Sequence, residues 1–297
     1  MTDATLTAAP AETAPAQEVR GYWQTVANRL RYDYTTLFFG AMVVLIILSA
    51  VFAPLLAPMD PYQDSLLHRL KPIGTDPYLL GTDELGRDIL SRLLYGGRIS
   101  LAMGILPVLI ATLVGGLLGI IAGFVGGRTN MVIMRTMDVF YAFPSILLAV
   151  AISGAMGGGI ANGMISLTLI FIPALCRVAE TATAQVRSLD YVEAARATGA
   201  SAFSIIREHI LGNVLGPILI YASSLVSVSI LIASGLSFLG LGVTPPEPDW
   251  GLMLNTLRQS IYINPLVCAL PGVAILITSI CFNLVSDGLR TAMDIRM

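Results

Sequence analysis

Ile99-Ser-Leu-Ala-Met-Gly-Ile-Leu-Pro-Val-Leu-Ile-Ala-Thr-Leu-Val-Gly-Gly-Leu-Leu-Gly-Ile-Ile-Ala-Gly-Phe124 carries no ionisable side chain. A helix needs about 20 apolar residues to cross the hydrocarbon core of a bilayer, and this stretch exceeds that. Gly115, Gly119, Gly123 and, beyond the stretch, Gly127 recur every four residues. That spacing puts them on one helix face, where a second backbone can approach closely. A chain built this way has lipid as its solvent.

Five further stretches pass the same length test: Leu37–Leu56, Val132–Ile152, Ile160–Cys176, Val214–Leu239 and Leu266–Val285. The expected fold is therefore an all-α integral membrane protein with six transmembrane helices. Composition agrees. Of 297 residues, 55% are hydrophobic and 12% charged, about half the charged share of a soluble domain. The net charge of -2 gives neither sign a surplus. Nucleic acid, which demands clustered Lys and Arg, is not an expected partner.

Several chemistries are excluded. Lysine occurs once, at Lys71, between Leu70 and Pro72. No G-x-x-x-x-G-K-[ST] loop exists, so the chain cannot hold ATP in that way. The three cysteines, Cys176, Cys268 and Cys281, fall in or beside apolar segments and read as buried small hydrophobes. With His68 and His209 the only histidines, no metal site is expected. A secondary transporter would place ionisable groups near the membrane midplane. Here Asp138 sits close to the inner end of the third stretch and Asp287 just beyond the sixth. A membrane-embedded enzyme would need a nucleophile with a base at suitable spacing, and none is visible.

Arginine and lysine set the orientation. With the N-terminus inside, the inner segments hold Arg20, Arg29, Arg31, Arg128, Arg135, Arg177, Arg187, Arg196, Arg207, Arg290 and Arg296. The outer ones hold only Arg69, Lys71, Arg87, Arg92, Arg98 and Arg258. Both termini are thus expected in the cytoplasm. Residues 1–35 read as a cytoplasmic tail, disordered over Met1–Gln17. The first span reads as a retained signal anchor. Residues 36–297 form the membrane domain, with an outer loop over 57–98. In that loop, Asp83–Leu94 shows helical spacing. Leu85, Ile89, Leu90, Leu93 and Leu94 make an apolar face, with Asp83/Arg87 and Asp88/Arg92 as i,i+4 pairs. An amphipathic helix on the outer membrane surface is expected. In the fifth span, Ser223, Ser227, Ser234 and Ser237 form a stripe that either lines a polar solute route or bonds neighbouring helices.

Between the fourth and fifth spans, within 188–212, stands Ser188-Leu-Asp-Tyr-Val-Glu193-Ala-Ala-Arg-Ala-Thr-Gly199-Ala-Ser201. Asp190 can cap a helix, with Glu193 reaching back three residues later. Gly199 suits the left-handed residue that ends a helix, and Ser201 can cap the next. A two-turn helix made thin by Ala194, Ala195 and Ala197 results, with Glu193 and Arg196 as charged contacts. Such a helix fits either a partner's groove or an ordinary interfacial loop.

Glu193-Ala194-Ala195, Gly199 and Leu211 resemble the EAA signature of ABC importer permeases. Leu211-Gly212 stands where that family usually has Leu-Pro. Gly81–Asp88, Ser91-Arg92, Arg98–Leu101, Ser237–Val243, Pro245–Gly251, Pro271-Gly272 and Asn283–Arg290 are similar to the peptide and nickel branch, and to the C-type subunit of its permease pair. The resemblance implies a type I importer permease whose segment 188–212 carries a coupling helix, with Asp190, Glu193, Ala194, Ala195, Arg196 and Gly199 facing an ATPase. It further implies a second permease, two ATPase subunits or domains that bind ATP and Mg, and an extracytoplasmic solute-binding protein. Dipeptides or oligopeptides are the implied cargo, with nickel or glutathione as alternatives, across a bacterial inner membrane.

Overall fold

A computed structural model describes residues 22–293. The disordered tail expected over Met1–Gln17 lies outside the described residues. A short helix, α1 (Tyr22–Tyr32), precedes the first span, α2 (Tyr34–Val51). Asp33 separates them and caps α2, accepting from the amides of Thr35 (3.1 Å) and Thr36 (3.3 Å). After α3 (Ala53–Leu56) the outer loop leads into α4 (Ile89–Val125). Then follow α5 (Gly127–Tyr141), α6 (Ser145–Met156), α7 (Ile160–Arg187), α8 (Asp190–Ala197) and α9 (Ala202–Ile205). A π-helical stretch over Ile206–Ile210 joins α9 to α10 (Leu211–Phe238); α11 (Trp250–Leu257) and α12 (Pro265–Met293) complete the chain.

Five of the described helices are long and apolar enough to span a membrane, and a sixth span exists if α5 and α6 count as one. The expectation of a single helix over Val132–Ile152 is corrected here. The chain bends by 86° between α5 and α6, at Ala142-Phe143-Pro144. Proline lacks an N–H, and the residue before it is pushed out of the α region. Other spans run past their expected limits: α4 starts at Ile89, and α7 continues to Arg187.

The core is the α4–α7 pair, the most extensive helix contact in the chain. Glycines allow it. A methyl on Gly115 would lie 2.6 Å from the Ile172 carbonyl oxygen, and one on Gly123 would lie 2.7 Å from that of Glu180. One on Gly119 would collide with the Cys176 carbonyl. Gly127 does not share this face, a correction to the four-residue pattern. Gly126 (φ 71°) ends α4 and turns the chain, so Gly127 (φ 54°) opens α5 with open space around its Cα.

The serine stripe of α10 packs inside the chain. Ser223 and Ser286 share a hydrogen bond of 2.8 Å that joins α10 to α12. Ser227 donates to the Ser224 carbonyl (2.8 Å), and Ser237 accepts from the Val243 amide (3.2 Å). Ser227, Ser234 and Ser237 are all buried. This geometry fits the bonding alternative.

No surface helix forms over Asp83–Leu94. Gly86 takes φ 77°, and Asp88 is extended and caps α4 through its Oδ2, which accepts from the Ser91 amide at 2.8 Å. The charges there are buried. Asp83 binds Arg87 at 2.7 Å and Arg92 at 3.5 Å, and Arg92 also donates to the Pro61 carbonyl at 2.9 Å. The expected Asp88/Arg92 pair is replaced by Asp83/Arg92. Ile89, expected on a lipid-facing stripe, is fully buried with Trp250, Met253 and Leu257. Trp250 locks α11 onto α4, its Nε1 donating to the Leu93 carbonyl (2.9 Å) beside Gly96 and Gly97. Asp249 caps α11 and accepts from Ser100 at 2.6 Å. Burial raises its pKa above the ordinary carboxylate value.

Candidate functional site

Helix α8 stands between two long rods. On one side α7 ends at Arg187. On the other, α9, the π-helical stretch and α10 run as one helix from Ala202 to Phe238. Only Ser188 and Leu189 connect α7 to α8, so the capping position falls on Leu189, which is extended. Asp190 is therefore the first helical residue and makes no capping bond, and the reciprocal box with Glu193 does not form. Both carboxylates still lie in the first turn and Arg196 in the last, the arrangement the helix dipole favours.

The end of α8 follows the expectation. The Gly199 amide donates to the Arg196 carbonyl (3.0 Å), and the Ala200 amide donates to the Ala195 carbonyl (3.1 Å). Together these form a Schellman motif, with Gly199 at φ 81°. Ser201 caps α9, accepting from the Ser204 amide at 3.2 Å.

One side of α8 holds it to the bundle. Val192 is fully buried in the main core, and Ala195 packs against it. The Arg196 guanidinium lies 5.0 Å from the Phe124 ring at the end of α4. The Tyr191 hydroxyl accepts from Asn213 of α10 at 3.1 Å. Asp190, Glu193, Ala194, Ala197 and Gly199 are left exposed. The result is a thin helix with a polar free face, anchored to three core elements. Such a device can pass on a displacement; it offers no nucleophile with a base. Among the described residues, no group of three His, Cys, Asp or Glu could hold a metal ion. The serines of α10 lie in the span and do not join this surface.

A second polar cluster was not legible as a unit. Arg177 of α7 donates to Asp138 of α5 at 2.6 Å, and its guanidinium lies 4.5 Å from the Tyr141 ring. Arg135 lies 3.7 Å from the other Asp138 oxygen. The sequence offers a signal, ionisable residues within or beside apolar runs. Their pairing, however, depends on how α5 crosses α7.

Comparisons with known proteins extend this picture. Residues 115–297 match the family described as binding-protein-dependent transport system inner membrane component. Residues 21–72 match the N-terminal TM domain of oligopeptide transport permease C. The glutathione transport system permease protein GsiD of Pectobacterium atrosepticum is 41% identical over 278 residues, 94% of this chain and 92% of that protein. The di/tripeptide transport system permease protein DppC of Pseudomonas aeruginosa is 41% identical over 281 residues, 93% and 91% of the two chains. The probable D,D-dipeptide transport system permease protein DdpC of Escherichia coli K12 is 37% identical over 280 residues, 94% of each. Among solved structures, the inward-facing MetNI methionine ABC transporter shares the fold, with a TM-score of 0.57 at 18% identity over 69% of this chain and 97% of that one.

Proposed function

Because this chain belongs to the family of binding-protein-dependent transport system inner membrane components, we propose that it is the C-type permease subunit of an ATP-driven importer of di- and tripeptides. It is a multi-pass inner membrane transport component and not an enzyme. In this reading it pairs with a second permease of the same fold. Two ATPase subunits or domains hold ATP and Mg, and an extracytoplasmic protein delivers the solute. Both termini and α8 face the cytoplasm. Peptide cargo is favoured by two relatives named for di/tripeptide and D,D-dipeptide transport. Glutathione, itself a tripeptide, is the second reading, favoured by the 41% identity to GsiD.

The observation that carries the mechanism is α8. Closure of the ATPases on ATP would push its free face. Val192, the Arg196–Phe124 contact and the Tyr191–Asn213 bond would pass that push to α7, α4 and α10. The solute route then alternates between outward and inward access, a bistable element biased by ATP. Membrane vesicles carrying the whole complex test the cargo. ATP-dependent accumulation of labelled dialanine, competed by other dipeptides and weakly by glutathione, supports the peptide reading. Accumulation of glutathione with no dipeptide competition selects the second reading, and uptake without ATP refutes both.

A further inference from the structure

Span helices rarely carry charge, and where they do, the charge faces the bundle interior or a water-filled cavity. Irregular backbone at membrane depth is tolerated under the same condition. Both features meet here. With Ile160 at the outer end of α7, Arg177 lies 17 residues inward, about 25 Å at the helical rise. That places it in the inner third of an apolar layer roughly 30 Å thick. Beside it runs the break Ala142-Phe143-Pro144, whose three residues are exposed in the isolated chain. The side chains of Arg177 and Asp138 are themselves 48% and 43% exposed. Arg177 projects from α7, the most buried of the five long spans, whereas α2 is the least buried. Neither a charged pair nor a broken helix is tolerated against lipid, so in the assembly proposed above this exposed side would face the permease partner and the solute route.

The chemistry of the pair selects a ligand group. Arg177 spends one N–H on Asp138 and stacks on Tyr141, which fixes its plane. Its remaining donors form a fork suited to a second carboxylate. Arg135 also leans on Asp138, so two cations face one acid. Glu180, one turn further along α7, accepts instead from Asn130 at 2.7 Å. We propose that Arg177, held in place by Asp138 and Tyr141 at the α5–α6 break, is a binding point inside the membrane for the α-carboxylate of the peptide in transit. This rests on the peptide reading above. Asp138 is the competing carboxylate that Arg177 returns to once the solute has left, so the solute is held briefly and then released.

The test uses the complete complex in vesicles, with L-Ala-L-Ala and its C-terminal amide as probes. The binding protein's affinity for each is measured separately, so that its preference divides out. Arg177→Gln is expected to slow uptake of the free acid by about tenfold or more, the scale of one charged hydrogen bond, while uptake of the amide changes far less. Arg177→Lys is expected to retain part of the preference. Equal loss for both probes, no loss for either, or a loss seen only in vesicles rich in anionic lipid overturns the proposal. If Arg177→Gln fails to assemble, Asp138→Asn decides. Removing the competing acid should lower the half-saturating concentration for the acid and not for the amide, and an unchanged ratio overturns the proposal. Failure of the wild-type complex to take up any dipeptide instead overturns the peptide reading, and this proposal with it.

Discussion

Arg196 holds its guanidinium 5.0 Å from the ring of Phe124, across a gap that the chain order hides: 72 residues separate a loop helix from the end of a span. Through this contact α8 is tied to α4, which is itself packed against α7 along the glycine face. In the coupling proposed above, a push on α8 would reach the central helix pair through this contact, as well as through the two rods that flank it in sequence.

The glycine face yields a graded prediction. A methyl at Gly119 meets backbone atoms of Cys176 and Glu180, which cannot yield unless the helices part. At Gly116 nothing lies within 4 Å. Gly119→Ala should cost about 1–3 kcal/mol by overpacking, whereas Gly116→Ala should be neutral or stabilise by up to about 1 kcal/mol. Thermal unfolding of the detergent-purified complex reads both. Equal midpoints would show that the close α4–α7 approach is not required.

The outer loop gives a second. Asp83→Asn leaves Arg87 and Arg92 buried beside a neutral amide. Breaking a buried pair in this way costs about 3–5 kcal/mol, here toward the lower end because Asp64 and Glu84 also lie near Arg87. Ile89→Val should cost only about 0.5–1.5 kcal/mol. Ile89→Asp should leave no stable protein, because it buries a carboxylate against Trp250. Normal membrane levels of Ile89→Asp would contradict the packing described.

Asp249 predicts a pH dependence. The folded chain holds its proton more tightly than the unfolded one, because burial disfavours the carboxylate. Its contribution to stability is full below the ordinary value of 3.8 and is lost as pH rises through the raised folded value. Asp249→Asn, an equally good cap, removes this loss. The variant's midpoint relative to wild type should climb as pH rises above the ordinary carboxylate value and level off once Asp249 ionises in the folded chain. A constant or falling difference would show that Asp249 is ionised at no cost.

Orientation is checked by labelling intact cells with an impermeant thiol reagent, in a background without the native cysteines. A cysteine at exposed Asp64 should react, and one at Thr198, in the turn after α8, should not. The reverse pattern would invert the topology.

All the expected spans but the third, the glycine pairing face over Gly115–Gly123 and the end of α8 were legible in the sequence, because each depends on local spacing or on a residue type that one backbone state demands. Gly199 is the clearest case, since the left-handed cap is written into the residue itself. The misreadings have a common cause. Asp83–Leu94 keeps helical spacing, yet the turn at Gly86 and the cap at Asp88 interrupt it, and both arginines turn to a buried Asp83. Gly127 continues the four-residue rhythm one step past the point where Gly126 turns the chain. Asp190 misses the cap by one residue because the corner from α7 is tight. The Arg177–Asp138 pair spans two helices whose crossing is set by a bend, and Pro144 marks where that bend falls without giving its angle.

Solute-stimulated ATP hydrolysis by the reconstituted complex reads the coupling of α8 to the ATPases. Gly199→Val should strain the turn by about 1–3 kcal/mol and misplace α8. Glu193→Ala makes a narrower test, because Glu193 forms no capping bond within the chain and can act only through its free face and the helix dipole. Both variants should assemble, bind the loaded solute-binding protein as wild type does, and lose most of the stimulation and uptake. Full stimulation and uptake in both would contradict that coupling, and α8 would then be a connector with no part in transport.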